Sequence, residues 1–262
     1  MVSIVSDARF ALRGALFAAY TAGTLGRHEL IAKNFSEAED NRVVLETMLR
    51  YGRHMSRLFG LRVKTAGLGP LGHLPGGEAV GRGRIFVMNH RSGLDIVVCL
   101  AHVQGRLVSR ADLAGWPVIG KIARRAGILF VDRENRRSAA QVVHQMIDSV
   151  EHGRGITIFP EGTTYSGDEV RPFKPGAFAV ARRTDCEVVP LGIAYAGTAF
   201  SFGDESFTEH MRRVACQGRV DAALVAGEPL RCSDGDPAAL SDRAHAAVQG
   251  LVHEARGMLV GD

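Results

Sequence analysis

The sequence has few cysteines, and none is arranged for metal or redox chemistry. Cys99, Cys186, Cys216 and Cys232 form no CxxC pair and have no histidine partners at zinc-like spacing, so they read as buried, inert thiols in a reduced compartment. Any stretch of about 18 uncharged apolar residues is also missing, which makes a membrane-spanning helix unexpected. The nearest approach, Phe10 to Leu25, is interrupted by Arg13. No low-complexity tract occurs, and with 46% hydrophobic residues disorder is not expected. There is no G-x-S-x-G elbow, so the serine-hydrolase arrangement is excluded. His28-Glu29 is followed by Leu30, Ile31 and Ala32 rather than completing H-E-x-x-H, which leaves zinc hydrolysis without a motif. Aromatic residues are scarce at 6%, and 32 Lys plus Arg against 28 Asp plus Glu give a net charge of only +4. That mild excess suits an anionic membrane surface or phosphorylated ligands and falls short of a nucleic-acid footprint.

What is present is a chain of 262 residues, long enough to bury a sizeable core without disulfides or metals. Leu12, Leu16 and Tyr20 recur at helical spacing while Arg9 and Arg13 share another face, so the first segment reads as a short basic amphipathic helix. It either lies on a membrane, with Phe10, Leu16 and Phe17 as apolar contact, or packs on the protein's own core. A signal peptide is disfavoured, because the apolar run is diluted with Gly, Thr and Ala. Glu37 to Phe59 reads as a second helix ending at Gly60. Residues 1–60 thus form an N-terminal helical segment.

Beyond it, Leu61 to Thr65 reads as a strand and Gly67 to Gly77 as a loop. Gly67, Gly69 and Gly72 satisfy GxGxxG, but Pro70 and Pro75 bar the helix a dinucleotide would need. From Arg84 onward strands and helices alternate: strands at Arg84 to Met88, Arg106 to Ser109, Ile128 to Val131, Ile156 to Phe159, Glu187 to Tyr195 and Val220 to Val225. Helices fall at Ser92 to Val103, Trp116 to Ala126, Ser138 to Glu151, Gly176 to Arg182 and Pro237 to Leu259. The pattern predicts an α/β fold with a mixed, largely parallel sheet covered by helices.

Such sheets bind ligands at the carboxyl ends of their strands. There the sequence places Asn89-His90-Arg91-Ser92-Gly93-Leu94-Asp95, then Asp132-Arg133, then Pro160-Glu161-Gly162-Thr163-Thr164. His90 and Asp95, five residues apart, would diverge by about 140° on a continuous helix. They meet if His90 lies on the turn and Asp95 in the first helical turn, and a carboxylate on one imidazole nitrogen then frees the other as a base. Ser92 and Asp95 also read as a capping box, and the two roles are compatible. Without a protein nucleophile, the pair points to activation of a substrate hydroxyl or of water. Arg133 suits a phosphate, or pairs with Asp132 or Glu134. Glu161 is a site acid or an exposed turn carboxylate, and Lys174, one of only a few lysines, precedes a helix start that could hold an anion.

Together these segments resemble the glycerolipid acyltransferases, specifically the 1-acylglycerol-3-phosphate O-acyltransferase family. Four blocks match in order: Asn89-His90 with Asp95 as NHxxxxD, Gly127 to Arg133 as GxxFVDR, Phe159 to Thr163 as FPEGT, and Val189-Pro190-Leu191. Trp116 to Gly120 is similar to the family's WPxxG connector. The resemblance implies an acyltransferase domain over 61–262, with His90 as general base and Asp95 orienting it. It implies substrate contacts from Asn89, Arg133, Glu161, Gly162, Thr163 and Lys174, and an apolar acyl wall from Val189, Pro190 and Leu191. The acyl donor it implies is a thioester of coenzyme A or acyl carrier protein, with no metal or resident cofactor. The acceptor is a lyso-lipid hydroxyl, first of all that of 1-acyl-sn-glycerol-3-phosphate, in phospholipid biosynthesis at the cytoplasmic face of a membrane. One departure matters: glycerophosphate-specific members usually carry Arg where this chain has Thr164, which resembles members acting on lyso-ornithine lipids or lysophospholipids. Thioester hydrolysis by the same His/Asp pair is the remaining alternative.

Overall fold

The computed structural model describes residues 4–69, 72–77, 82–132, 134–197, 200–203, 205–232 and 235–260. Seven strands, β1 Leu61–Ala66, β2 Ile85–Met88, β3 Gly105–Arg110, β4 Leu129–Val131, β5 Gly155–Ile158, β6 Val188–Tyr195 and β7 Val220–Ala226, form one sheet in the order β1-β7-β6-β2-β5-β3-β4. β6, β2, β5, β3 and β4 are parallel, β7 runs antiparallel to β6, and β1 is parallel to β7. The sheet is therefore mixed and largely parallel. β2 and β6 are buried along their whole length, as parallel strands covered on both faces must be.

Side-chain alternation along β2 divides the core between the two faces. Phe86 and Met88 point into a core shared with α2 (Glu37–Leu58), α3 (Leu94–His102) and α7 (Phe207–Cys216). Ile85 and Val87 point into the opposite core, filled by α5 (Arg136–Glu151), α6 (Gly176–Thr184) and α8 (Pro237–Val260). α4 (Pro117–Arg125) begins with Pro at its first turn, where the missing N–H costs nothing.

The first helix, α1 (Ile4–Ile31), is 28 residues long, longer than the Phe10 to Leu25 segment the pattern predicts. Of the two readings left open for this helix, membrane contact or packing on the protein's own core, Arg9 and Arg13 follow the second. Arg9 donates to the Cys216 carbonyl at 2.7 Å, and Arg13, itself buried, donates to the Ala215 and Gln217 carbonyls at 2.9 and 2.5 Å. These carbonyls end α7 and have no partner within the helix, so guanidinium groups satisfy both their lone pairs and the helix dipole. α1 still keeps an apolar outer face, with Val5, Leu12 and Leu16 exposed. No helix among the described residues is long and apolar enough to cross a membrane.

α7 is an element the sequence reading leaves out. Its signal is local: Ser206 accepts from the Glu209 N–H while Glu209 accepts from the Ser206 N–H, a capping box written S-x-x-E. Of the four cysteines, all free, Cys99 and Cys186 are buried and Cys216 and Cys232 half-buried.

Candidate active site

The carboxyl ends of β2, β5 and β6 bring three loops to one rim. β2 leaves the sheet after Met88, and the Asn89 side chain prolongs the pairing: its amide donates to the Ile193 carbonyl and its oxygen accepts from the Ile193 N–H, both at 2.9 Å. Asn89 is fully buried. The expected substrate contact is thus corrected; both ends of the amide are used in joining β2 to β6.

This clamp delivers His90 to the rim, and the turn that follows lets Asp95 face back to it. Asp95 Oδ2 accepts from His90 Nδ1 at 2.7 Å, from the Arg91 N–H at 2.6 Å and from the Ser92 N–H at 2.9 Å. Oδ1 accepts from the Tyr195 hydroxyl at 2.6 Å. The carboxylate is inaccessible to solvent, so four donors replace water, as a buried charge requires. It ties down the turn ahead of α3 and holds the imidazole at once, whereas Ser92 Oγ bonds the Leu94 N–H instead of completing the box. A carboxylate only accepts, so Nδ1 carries the proton and Nε2 keeps its lone pair. The ring lies flat on Phe159, with centroids 4.0 Å apart and planes 14° from parallel.

Glu161 arrives from the loop after β5 and is also sealed off. It accepts from the His90 N–H at 2.7 Å, from Arg91 Nη1 at 2.9 and 3.1 Å, and from the Arg171 N–H at 2.9 Å. Arg91, likewise buried, spends its other donors on the carbonyls of His90, Gly167 and Glu169. The expectation that Glu161 contacts the acceptor is therefore corrected: it anchors the His90 backbone and neutralises a buried guanidinium. Gly162 has a φ of +82°, and an added Cβ there would stand 2.6 and 2.7 Å from Cε and Nζ of Lys174. The absent side chain lets the Lys174 amine cross the loop beside the rim. Val189, Pro190 and Leu191 lie inside β6 among core residues, and none lines the cleft described next, so they form no acyl wall. Pro190 sits where the β7 ladder ends, its carbonyl taking the Gly227 N–H at 2.9 Å. Arg133 lies outside the described residues; β4, which precedes it, pairs with β3 at Arg110 and Val131.

His90 opens onto a cleft of about 600 Å³. Ile96, Leu107, Leu113, Trp116, Ile128 and Phe207 supply one apolar wall, and Thr163, Thr164, Arg110, Asp112 and Glu205 line the polar remainder. Trp116 meets Phe207 edge to face at 5.6 Å. A base with a free lone pair at the mouth of an apolar groove can deprotonate a hydroxyl carried by an amphiphile.

Two residues that the sequence reading misses support this arrangement. Tyr195, at the end of β6, holds Asp95 from behind. His210, on α7, accepts the Gly93 N–H on Nε2 at 3.1 Å, so its proton sits on Nδ1 and faces Glu205 at 2.9 Å. Burial pushes the pKa of His210 down, which agrees with that neutral tautomer. Arg213 binds Glu205 and, with His210, holds its carboxyl at about 2, well below the usual 4.5. Neither residue has a motif of its own, and only the Ser206-x-x-Glu209 box points to the helix carrying His210.

Residues 73–194, a span that includes all four sequence blocks, match the sequence model of the Acyltransferase family. The chain is 30% identical over 179 residues to the lyso-ornithine lipid O-acyltransferase of Pseudomonas aeruginosa, covering 66% of this chain and 69% of that protein. It is 30% identical over 136 residues to the 1-acyl-sn-glycerol-3-phosphate acyltransferase of Neisseria gonorrhoeae, covering 49% of this chain and 53% of that one. The crystal structure of the 1-acyl-sn-glycerophosphate acyltransferase PlsC from Thermotoga maritima superposes with a TM-score of 0.72 over 97% of this chain and 95% of that one. At 20% identity that likeness establishes the fold.

Proposed function

The chain belongs to the Acyltransferase family, and on that premise we propose that it moves a fatty acyl group from an acyl thioester to the free hydroxyl of a lyso-lipid. The observation that carries this reading is the His90–Asp95 pair at the mouth of a cleft with one apolar wall, with no partner on Nε2 among the described residues. Nε2 removes the proton of the acceptor hydroxyl, and the oxygen attacks the thioester carbonyl. The C–S bond then breaks, the ester forms, and the imidazolium returns its proton to the departing thiolate of coenzyme A or acyl carrier protein. Asp95 stabilises the imidazolium in between, and a general base placed in this way contributes roughly 10²–10⁴ in rate.

The first acceptor to test is 1-acyl-sn-glycerol-3-phosphate, for which Lys174 supplies a cation beside the rim. A second reading, lyso-ornithine lipid, is favoured by Thr164, which lines the cleft with a neutral hydroxyl where a phosphate reader would carry a guanidinium. Incubating the purified protein with one acyl-CoA and a panel of lyso-lipids, then weighing the products, decides between them. Free fatty acid formed with no acylated lipid would replace transfer by thioester hydrolysis.

The site would work as a peripheral enzyme on the cytoplasmic face of a membrane. The outer face of α1 offers Val5, Leu12 and Leu16, and the adjoining face of α2 offers exposed Arg50, Arg53 and Arg57. The two faces meet where Tyr20 stacks on His54 at 4.8 Å. Apolar insertion plus about 1 kcal/mol for each basic residue near an anionic surface supports such docking.

A further inference from the structure

We propose that Tyr195 is a positioning residue of the reaction, fixing the Asp95 carboxylate in the one orientation that serves His90; this rests on the acyl-transfer reading above. Asp95 Oδ2 already takes three donors, and the Tyr195 hydroxyl is the donor on Oδ1. With no solvent access to either group, water cannot replace that bond. A carboxylate held by three donors on one oxygen alone can pivot about them, and a fourth donor on the other oxygen fixes its plane.

Tyr195 is built to stay put. It ends β6 in register with Ala222 of β7, its carbonyl takes the Arg256 guanidinium, and its ring leans on Phe200 with centroids 6.2 Å apart. Burial, and then the neighbouring Asp95, push the phenol pKa well above its usual 10, so it remains a donor throughout the working pH range.

The other groups near Asp95 leave Oδ1 to the phenol. His90 and the Arg91 peptide share Oδ2, and the Arg91 guanidinium is bound to Glu161. Cys99, one turn along α3, has its thiol pKa pushed up by burial and stays neutral. His210, from α7, faces Ser92 and Gly93 with a neutral ring.

The test uses the full chain, palmitoyl-CoA and 1-acyl-sn-glycerol-3-phosphate, comparing wild type, Tyr195→Phe, His90→Ala and the double variant. Tyr195→Phe should lower kcat about tenfold, the scale of one buried acceptor left unpaired, with KM for both substrates unchanged. In the His90→Ala background the same change should alter the residual rate less than about twofold, because the effect passes through His90. A wild-type kcat in Tyr195→Phe, or the same fractional loss with and without His90, overturns the proposal. If Tyr195→Phe does not fold, 3,5-difluorotyrosine at position 195 keeps the ring and hydroxyl while donating more strongly. The downfield proton of the His90–Asp95 hydrogen bond should then move upfield in the proton NMR spectrum, and an unmoved resonance is refutation. A wild type that transfers no acyl group refutes the acyl-transfer reading instead, and the NMR comparison still reports on Tyr195.

Discussion

Replacing Asp95 by Asn separates the two duties of this carboxylate. The amide oxygen of Asn can stand where Oδ2 stands, keeping the bonds from the Arg91 and Ser92 N–H groups at 2.6 and 2.9 Å and that from His90 Nδ1 at 2.7 Å. The NH2 then faces Tyr195, whose hydroxyl must rotate from donating to accepting. The turn survives at a cost of about 1 kcal/mol for the rearranged contact. What disappears is the negative charge that steadies the imidazolium, so kcat should fall by roughly 10²–10⁴ while the melting temperature shifts by only a few degrees. Asp95→Ala leaves the His90 ring N–H, the Arg91 and Ser92 N–H groups and the phenol unpaired, about 3 kcal/mol or more. Thiol release from acyl-CoA measures the rate, and circular dichroism measures the fold. An Asn variant that keeps more than about a fifth of the wild-type rate refutes the electrostatic role. One that unfolds like the Ala variant shows that the amide cannot hold the turn.

Glu161→Gln removes one partner of a buried ion pair and leaves the Arg91 charge uncompensated, so it should destabilise by about 3–5 kcal/mol, read as a lower urea midpoint. A folded variant of ordinary stability with a raised KM for the acceptor would return Glu161 to the substrate. Thr164→Arg places a guanidinium in the cleft and should shift preference toward phosphate-headed acceptors; an unchanged product ratio means this position does not read the headgroup. Because Arg213 and His210 hold the Glu205 carboxyl at about 2 instead of 4.5, its contribution to stability is present above the ordinary carboxylate range and is lost as pH falls toward 2. The melting-temperature gap between wild type and Glu205→Gln should therefore be widest near neutrality and close on acidification, and a gap independent of pH refutes the pairing.

The strands were legible because β2, β5 and β6 are short apolar runs bounded by turn residues, and the spacers between them are of helix length. His90 and Asp95 were legible as a pair because the turn that joins them is local. The errors are of another kind. Asn89 sits beside the base in sequence and Glu161 in a motif block of its own, and both look like substrate ligands, yet their partners are Ile193, Arg91 and Arg171, contributed in part by remote segments that no local pattern reveals. Val189 to Leu191 carry the right apolar character for an acyl wall, but an apolar strand in mid-sheet is core, and the cleft draws its wall from Trp116, Ile128 and Phe207 instead. Tyr195 and His210 come to the site from 100 and 118 positions beyond Asp95 and Ser92, and only the folded sheet brings them there.

One carboxylate both holds the turn ahead of α3 and serves the base, and this has a consequence for how such a chain ages. A lineage that abandons catalysis gains nothing by retaining the imidazole, since His90 could become another turn residue without unseating its neighbours. The residue five positions later still has to hold the turn, a task that Asn performs nearly as well as Asp. Degenerate copies should therefore shed the histidine first and keep Asp or Asn at position 95, so a residue that survives there is by itself a poor witness to activity.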